Sequence, residues 1–202
     1  MTKIATNNDL TEQVGRIFRM NGYRGSTMSI ISEQTGLGRS SLYHYFGNGK
    51  SEMAHRSLDA IEAFIQTVRE TARDAHMSPQ RKWQAIEAML RNHYQGGLLG
   101  CLLAVFALED VPGELRERTK RLFESWIDAA AELYAADGIT QKLARTFAQR
   151  DITLIQGALI LSQAIRSPAP FDQTMHNISQ AIGERTSSLW SNSGGNTPTE
   201  RL

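Results

Sequence analysis

Arg39, Ser40 and Ser41 stand directly ahead of Leu42-Tyr43-His44-Tyr45-Phe46, a run that gathers several kinds of hydrogen-bond donor within two helical turns. A guanidinium can donate two parallel bonds to the O6 and N7 edge of a guanine, and hydroxyls can reach phosphate oxygens. Thr27 stands where a short helix would begin, and the amides of a helix N-terminus favour phosphate. Lys50 adds a flexible ammonium. Singly these residues decide nothing. Arg39 and His44 each read as ordinary surface side chains, Tyr43 and Tyr45 as core or surface aromatics, and Phe46 as core. Only the ordered set points to a polyanion.

Other chemistries find less support. The histidines, His44, His55, His76, His93 and His176, are scattered without metal-ligand spacing. The sequence has no glycine-rich phosphate loop, nucleophile elbow, His-x-x-x-His pair or Cys-x-x-Cys. The expectation is a chain that is no enzyme and uses no cofactor or metal. Catalytic groups can converge from distant positions, so a helical enzyme stays as an alternative, beside a protein-interaction module without DNA binding. The charge distribution argues against the latter. Residues 1–56 carry seven basic and four acidic side chains, net +3, in a chain of net charge +1, which leaves −2 for the rest. A basic head on a mildly acidic body suits a head that alone meets a polyanion.

The elements that must position these residues read as helix almost throughout, so the fold class is all-α. Leu10, Val14, Ile17 and Phe18 recur at helical spacing, and Asn21-Gly22 supplies a stop. Ser26 or Thr27 caps a second short helix with Ile30, Ile31 and Gln34, which Gly36 ends. A third runs from Arg39 to Phe46, and Gly47-Asn48-Gly49 breaks it before a longer helix opened by Lys50 or Ser51. Ser78-Pro79 reads as cap and first helical residue of the next segment. Glycines 96, 97 and 100 precede an apolar stretch from Cys101 to Leu108, Pro112 begins another helix, and Asp137-Gly138 ends it. Residues 140–166 form a long helix, and Ser167-Pro168-Ala169-Pro170 separates it from the last. About nine helices result, three short ones leading. The two short helices around Thr35-Gly36-Leu37-Gly38 have the spacing of a helix-turn-helix, with Ile31, Leu37 and Leu42 closing a small core on Phe18.

Gly22-Tyr23, Thr27, Ile31, Gly36-Leu37 and Leu42-Tyr43-His44-Tyr45-Phe46 followed by Lys50 resemble the DNA-binding domain of TetR-family regulators over residues 10–56. Val14 and Ser32 depart from that pattern, standing where the family usually has alanine, and Gly47-Asn48-Gly49 is a glycine-rich link to Lys50. The resemblance implies a DNA-binding set of Thr27, Arg39, Ser40, Ser41, Tyr43, His44, Tyr45 and Lys50. Arg39 would read bases, Tyr43 and His44 would face the duplex, and Tyr45, Thr27 and Lys50 would meet the backbone. It also implies a transcriptional repressor, homodimeric on a palindromic double-stranded operator. Residues 1–49 would be the DNA-binding domain, 50–190 an effector-binding and dimerisation domain, and 191–202 a disordered tail.

In the body, the stretch from Gly100 to Glu109 is similar to a segment of LmrA/YxaF-type members, which implies a lipophilic or aromatic small-molecule effector. Phe64, Trp83, Met89, Phe106, Phe123 and Trp126 are large, adaptable side chains suited to such a ligand, with His93 and Gln156 as polar contacts. The same residues serve equally as plain core. The last two long helices offer Leu154, Ile155, Leu159, Leu161, Ile178, Ile182 and Leu189, with Gly157 and Ala164 permitting close approach. The resemblance turns that surface into a four-helix dimer interface. Cys101 alone cannot form an internal disulfide, and a buried hydrophobe is its expected role. No apolar run is long enough for a membrane span, and residues 1–8 lack a secretory signal, so a cytoplasmic location is expected.

Overall fold

The computed structural model describes residues 7–135 and 139–193; within them lie nine α-helices, one 3-10 turn and no strand. The head comprises α1 (Asn7–Gly25), α2 (Met28–Thr35) and α3 (Arg39–Tyr45). The body comprises α4 (Gly49–Arg73), α5 (Pro79–His93), a 3-10 turn (Gln95–Gly97), α6 (Leu102–Leu108), α7 (Gly113–Ala135), α8 (Gln141–Ile165) and α9 (Ala169–Ser193). Asp137-Gly138, expected to end a helix, lies outside the described residues. So does 194–202 of the expected tail, while α9 itself continues through Ser193. None of the described helices is long and apolar enough to cross a membrane.

The first helix is longer than expected. Gly22 does break it, at φ 73° and ψ 172°, but one further turn follows to Gly25. Thr27 rather than Ser26 is the N-cap of α2, its hydroxyl accepting the Ile30 amide at 3.3 Å. Ser26 is fully buried and donates its hydroxyl to the Gly22 carbonyl at 2.6 Å. Gly36 closes α2 in the left-handed conformation, φ 70°, which costs a glycine nothing sterically. Ser32 donates to the Leu37 carbonyl at 2.6 Å. A serine in place of alanine thus staples α2 to the turn that follows it.

The head's apolar centre joins Phe18, Ile31, Leu42 and Phe46, all at most 1% exposed, with Val14 sealed among them and Leu37 packed at the edge. This centre runs without interruption into the body. Phe106 of α6 meets Phe18 and Tyr23 edge-on, at ring-centroid distances of 5.6 and 5.9 Å. In the body α4 packs on α7, α7 on α8 and α8 on α9, with α5 lying against α4 and α9. Ser78 caps α5 by accepting the Arg81 amide, and Pro79 is its first residue.

Candidate nucleic-acid interface and adjoining cleft

At 3.6 residues per turn, α3 separates the expected contact residues into two groups. Arg39, Ser40, Tyr43 and His44 share one exposed face. Leu42 and Phe46, buried, hold the opposite face on the head's core. Ser41 and Tyr45 lie between and are half-buried, Tyr45 packing against the core. Arg39 occupies the first turn, beyond the N-cap Gly38, and its Nη2 donates to Ser29 Oγ of α2 at 2.6 Å. Ser29, unremarked in the sequence, therefore aims the guanidinium from the exposed side of α2.

Two residues of the link take on structural work that the sequence did not reveal. Gly49 has φ 59°, and a Cβ there would stand 3.0 Å from the Tyr43 ring. The positive φ favours glycine, and a larger residue would also push the exposed Tyr43 ring aside by a few tenths of an ångström. Lys50 is occupied within the fold. Its Nζ donates to the Tyr23 carbonyl at 3.0 Å and lies 4.3 Å from the centre of the Tyr23 ring. Glu52 accepts the Asn48 amide at 2.9 Å, which, with Arg56 one turn on, holds its carboxyl below the usual range.

Head and body meet at a second joint. The Arg24 amide donates to Glu109 Oε2 at 3.1 Å, and the Arg24 and Arg116 guanidiniums both reach Asp110. Glu109 packs so closely over Gly22 that any Cβ there would collide with its carboxylate. The positive φ at 22 favours glycine, and a Cβ there would in addition force the Glu109 carboxylate off the Arg24 amide.

The expected effector residues do not form one lining. A cleft of about 810 Å³ lies between α1, the middle of α4 and the end of α5, and of the eight residues named above only His93 borders it. His93 stacks on Phe64, centroids 4.2 Å apart, and the two join Trp126, Tyr94 and Cys101 around a void of about 10 Å³. Phe123 stacks on Trp126 at 6.2 Å. Phe106 sits instead at the head–body joint. Trp83 is buried in α5 and Met89 packs on the core, neither bordering the cleft. Gln156 carries a buried amide nitrogen without a hydrogen-bond partner. Aromatic size marked these residues, but size does not distinguish a packed core from a lined cavity. Burial, with Arg19 beside it, depresses the His93 pKa to about 3. The ring is neutral at pH 7, and its Nε2, 2.7 Å from Arg19 Nη2, accepts from that guanidinium. Burial raises the Tyr23 and Tyr94 hydroxyls above the ordinary tyrosine range.

Residues 16–56, which hold the exposed α3 face, match the family described as bacterial regulatory proteins, tetR family; residues 57–177 match the LmrA/YxaF-like C-terminal domain of transcriptional regulators. The chain belongs to the TetR family of transcriptional regulators. Its family is one of regulators with a DNA-binding helix-turn-helix, not of enzymes. Among its relatives is the HTH-type transcriptional regulator LmrA of Bacillus subtilis, 24% identical over 161 residues, covering 77% of this chain and 85% of that protein. An uncharacterized HTH-type regulator of Mycobacterium tuberculosis is 23% identical over 168 residues, covering 77% and 83%. In fold, this TetR-family chain is similar to a TetR regulator of Legionella pneumophila, with TM-score 0.77, 17% identity and coverage of 90% and 100%. A TetR regulator of Rhodobacter sphaeroides gives 0.69 at 18% identity, covering 91% and 99%.

Proposed function

We propose that this TetR-family regulator is a repressor, acting as a homodimer that sets α3 of each protomer into successive major grooves of a palindromic operator. The observation that carries this reading is the division of α3, with Arg39, Ser40, Tyr43 and His44 outward and Leu42 and Phe46 sealed inward. Arg39, steered by Ser29, is the base reader, and Tyr43 and His44 contact the duplex. Thr27 and the α2 amides meet phosphate, as does Tyr45 from the flank of α3. Ser41, half-buried, serves at the edge. Such a protein acts where the DNA is, in the cytoplasm.

A small effector, apolar or aromatic in its body, releases the operator by favouring a state whose recognition helices no longer match the groove spacing. By linkage, operator DNA then weakens effector binding by the same factor. Selection of bound sequences from random DNA tests the whole reading, with Arg39→Ala run in parallel. The selected site should be a palindrome, and Arg39→Ala should cost about 1–3 kcal/mol and relax one base position in each half-site. A variant with undiminished affinity and base preference would remove Arg39 from the reading role.

A further inference from the structure

The cleft between α1 and the body ends in two guanidiniums one turn apart on α1, Arg16 and Arg19. Arg16 Nη2 donates to Gln95 Oε1 at 2.6 Å, and Arg19 Nη1 to the His93 carbonyl at 3.1 Å, with its Nη2 on the neutral His93 ring. Every one of these acceptors is uncharged. Arg24, Arg56, Arg73, Arg91, Arg116, Arg118, Arg145 and Arg150 each hold a carboxylate, whereas Arg39 on Ser29 and Arg69 on Ser125 also meet neutral acceptors; Arg16 and Arg19 differ from those two in standing side by side in one cleft. Neither Arg16 nor Arg19 has an ion pair among the described residues. Asp9 and Glu12 border the same cleft from earlier turns of α1, so its α1 wall runs from acidic outside to basic at the His93 end. Ile61, Leu99 and Leu102 add apolar wall there. Behind the His93 ring lies the small aromatic void beside Phe64 and Trp126.

Two adjacent cations whose hydrogen bonds go to neutral acceptors, with the Glu12 carboxylate acting on Arg19 from the same wall but not bonded to it, in a space of ligand size, suit an anion. A carboxylate takes parallel bonds from a guanidinium. We infer that this cleft binds a small organic carboxylate, its head group on Arg16 and Arg19 and its apolar body against Ile61, Leu99 and Leu102. The site spans the two parts of the molecule, α1 from the head and α4 with the α5 end from the body. An occupant therefore clamps α1 at one angle to the body and resets the position of α3. For that consequence the inference rests on the effector-released repressor proposed above; the binding itself does not.

Calorimetry on the full chain tests it, with benzoate, naphthalene-2-carboxylate and decanoate each paired with its uncharged amide. At least one carboxylate should bind, about tenfold or more tighter than its amide. Arg16→Gln, at an exposed position, should weaken it about fivefold, and Arg19→Lys should weaken it although it keeps the charge, because the fork is lost. Circular dichroism checks that Arg19→Lys folds, and Arg16→Gln carries the test if it does not. Absence of binding by all three carboxylates at millimolar concentration overturns the inference, as does equal binding of acid and amide or indifference to Arg16→Gln. On the operator found by selection, the bound carboxylate should shift DNA affinity; binding without such a shift removes the clamp. If selection yields no operator while the charge-dependent binding persists, the regulatory reading fails and the site stands.

Discussion

His93 shows how one side chain can tie acid sensitivity to the head–body cleft. Its folded pKa lies near 3 against an ordinary value of 6.5, so the folded state refuses a proton that the unfolded chain accepts. The stability this contributes is full above pH 6.5 and is lost as the pH falls from there toward 3, with a slope of about 1.4 kcal/mol per pH unit. Chemical denaturation between pH 7 and 4 should show that slope, and His93→Gln, which still offers Arg19 an acceptor, should flatten it. An unchanged acid slope in the variant would place the sensitivity elsewhere. Lys50 poses a different question, because its ammonium is engaged by Tyr23 through both carbonyl and ring. We expect it to position the head and not to hold phosphate. Lys50→Met should then cost about 1 kcal/mol of stability and leave the salt dependence of DNA binding unchanged. A fall of about one unit per protomer in the slope of log affinity against log salt would instead restore the phosphate contact.

At the scale of elements, the joint between α1 and α6 is the feature most exposed to test. Gly22 lies in a backbone region that only glycine enters readily, and Glu109 fills the space above it. Gly22→Ala should therefore destabilise by about 1–3 kcal/mol. Removing the overlying carboxylate by Glu109→Ala in the same chain should recover part of that loss, the steric part, and leave the backbone part. Strict additivity of the two substitutions would mean that they do not touch. Local rules made much of the head readable in advance. The left-handed stop at Gly36, the Ser78-Pro79 cap and the inward Leu42 and Phe46 all follow from neighbours within a turn or two of helix. What was not readable depends on residues distant in the chain. Nothing near Gly22 announces Glu109, nothing in Phe106 announces its seat against Phe18 and Tyr23, and the departure from alanine at Ser32 does not announce its hydroxyl's bond to the Leu37 carbonyl. The cleft was only partly legible for a related reason: His93 borders it among the expected residues, but its arginines come from the head, far in sequence from the aromatics of the body.

For the whole molecule, the homodimer proposed above turns on which surface of the body would meet a second copy. The sequence offered Ile155, Leu159, Ile178 and Ile182 for that purpose, but all four are at most 3% exposed within the single chain. They close its own core. Leu189 has no described side chain. What α8 turns outward is the remainder of that expected set, Leu154 and Leu161, joined by Ile165, between 46% and 61% exposed, on one stripe with Gly157. A Cβ at Gly157 would meet nothing within 4 Å, so nothing inside the chain requires glycine there, where it costs the helix about 1 kcal/mol relative to alanine. Both the apolar stripe and the glycine make sense if another helix approaches closely. In a two-fold interface every substitution counts twice. Leu161→Glu removes two apolar contacts of roughly 1.5 kcal/mol each, which corresponds to a dimer dissociation constant raised about a hundredfold. Because Leu161 is exposed in the single chain, its thermal stability as a monomer should change by no more than about 0.5 kcal/mol. Sedimentation at micromolar concentration should find the parent protein dimeric and the variant monomeric, and operator binding by the variant should depend more steeply on protein concentration. A parent that sediments as a monomer would dismiss this stripe as an interface, and a variant that remains dimeric would move the interface to another face of the body.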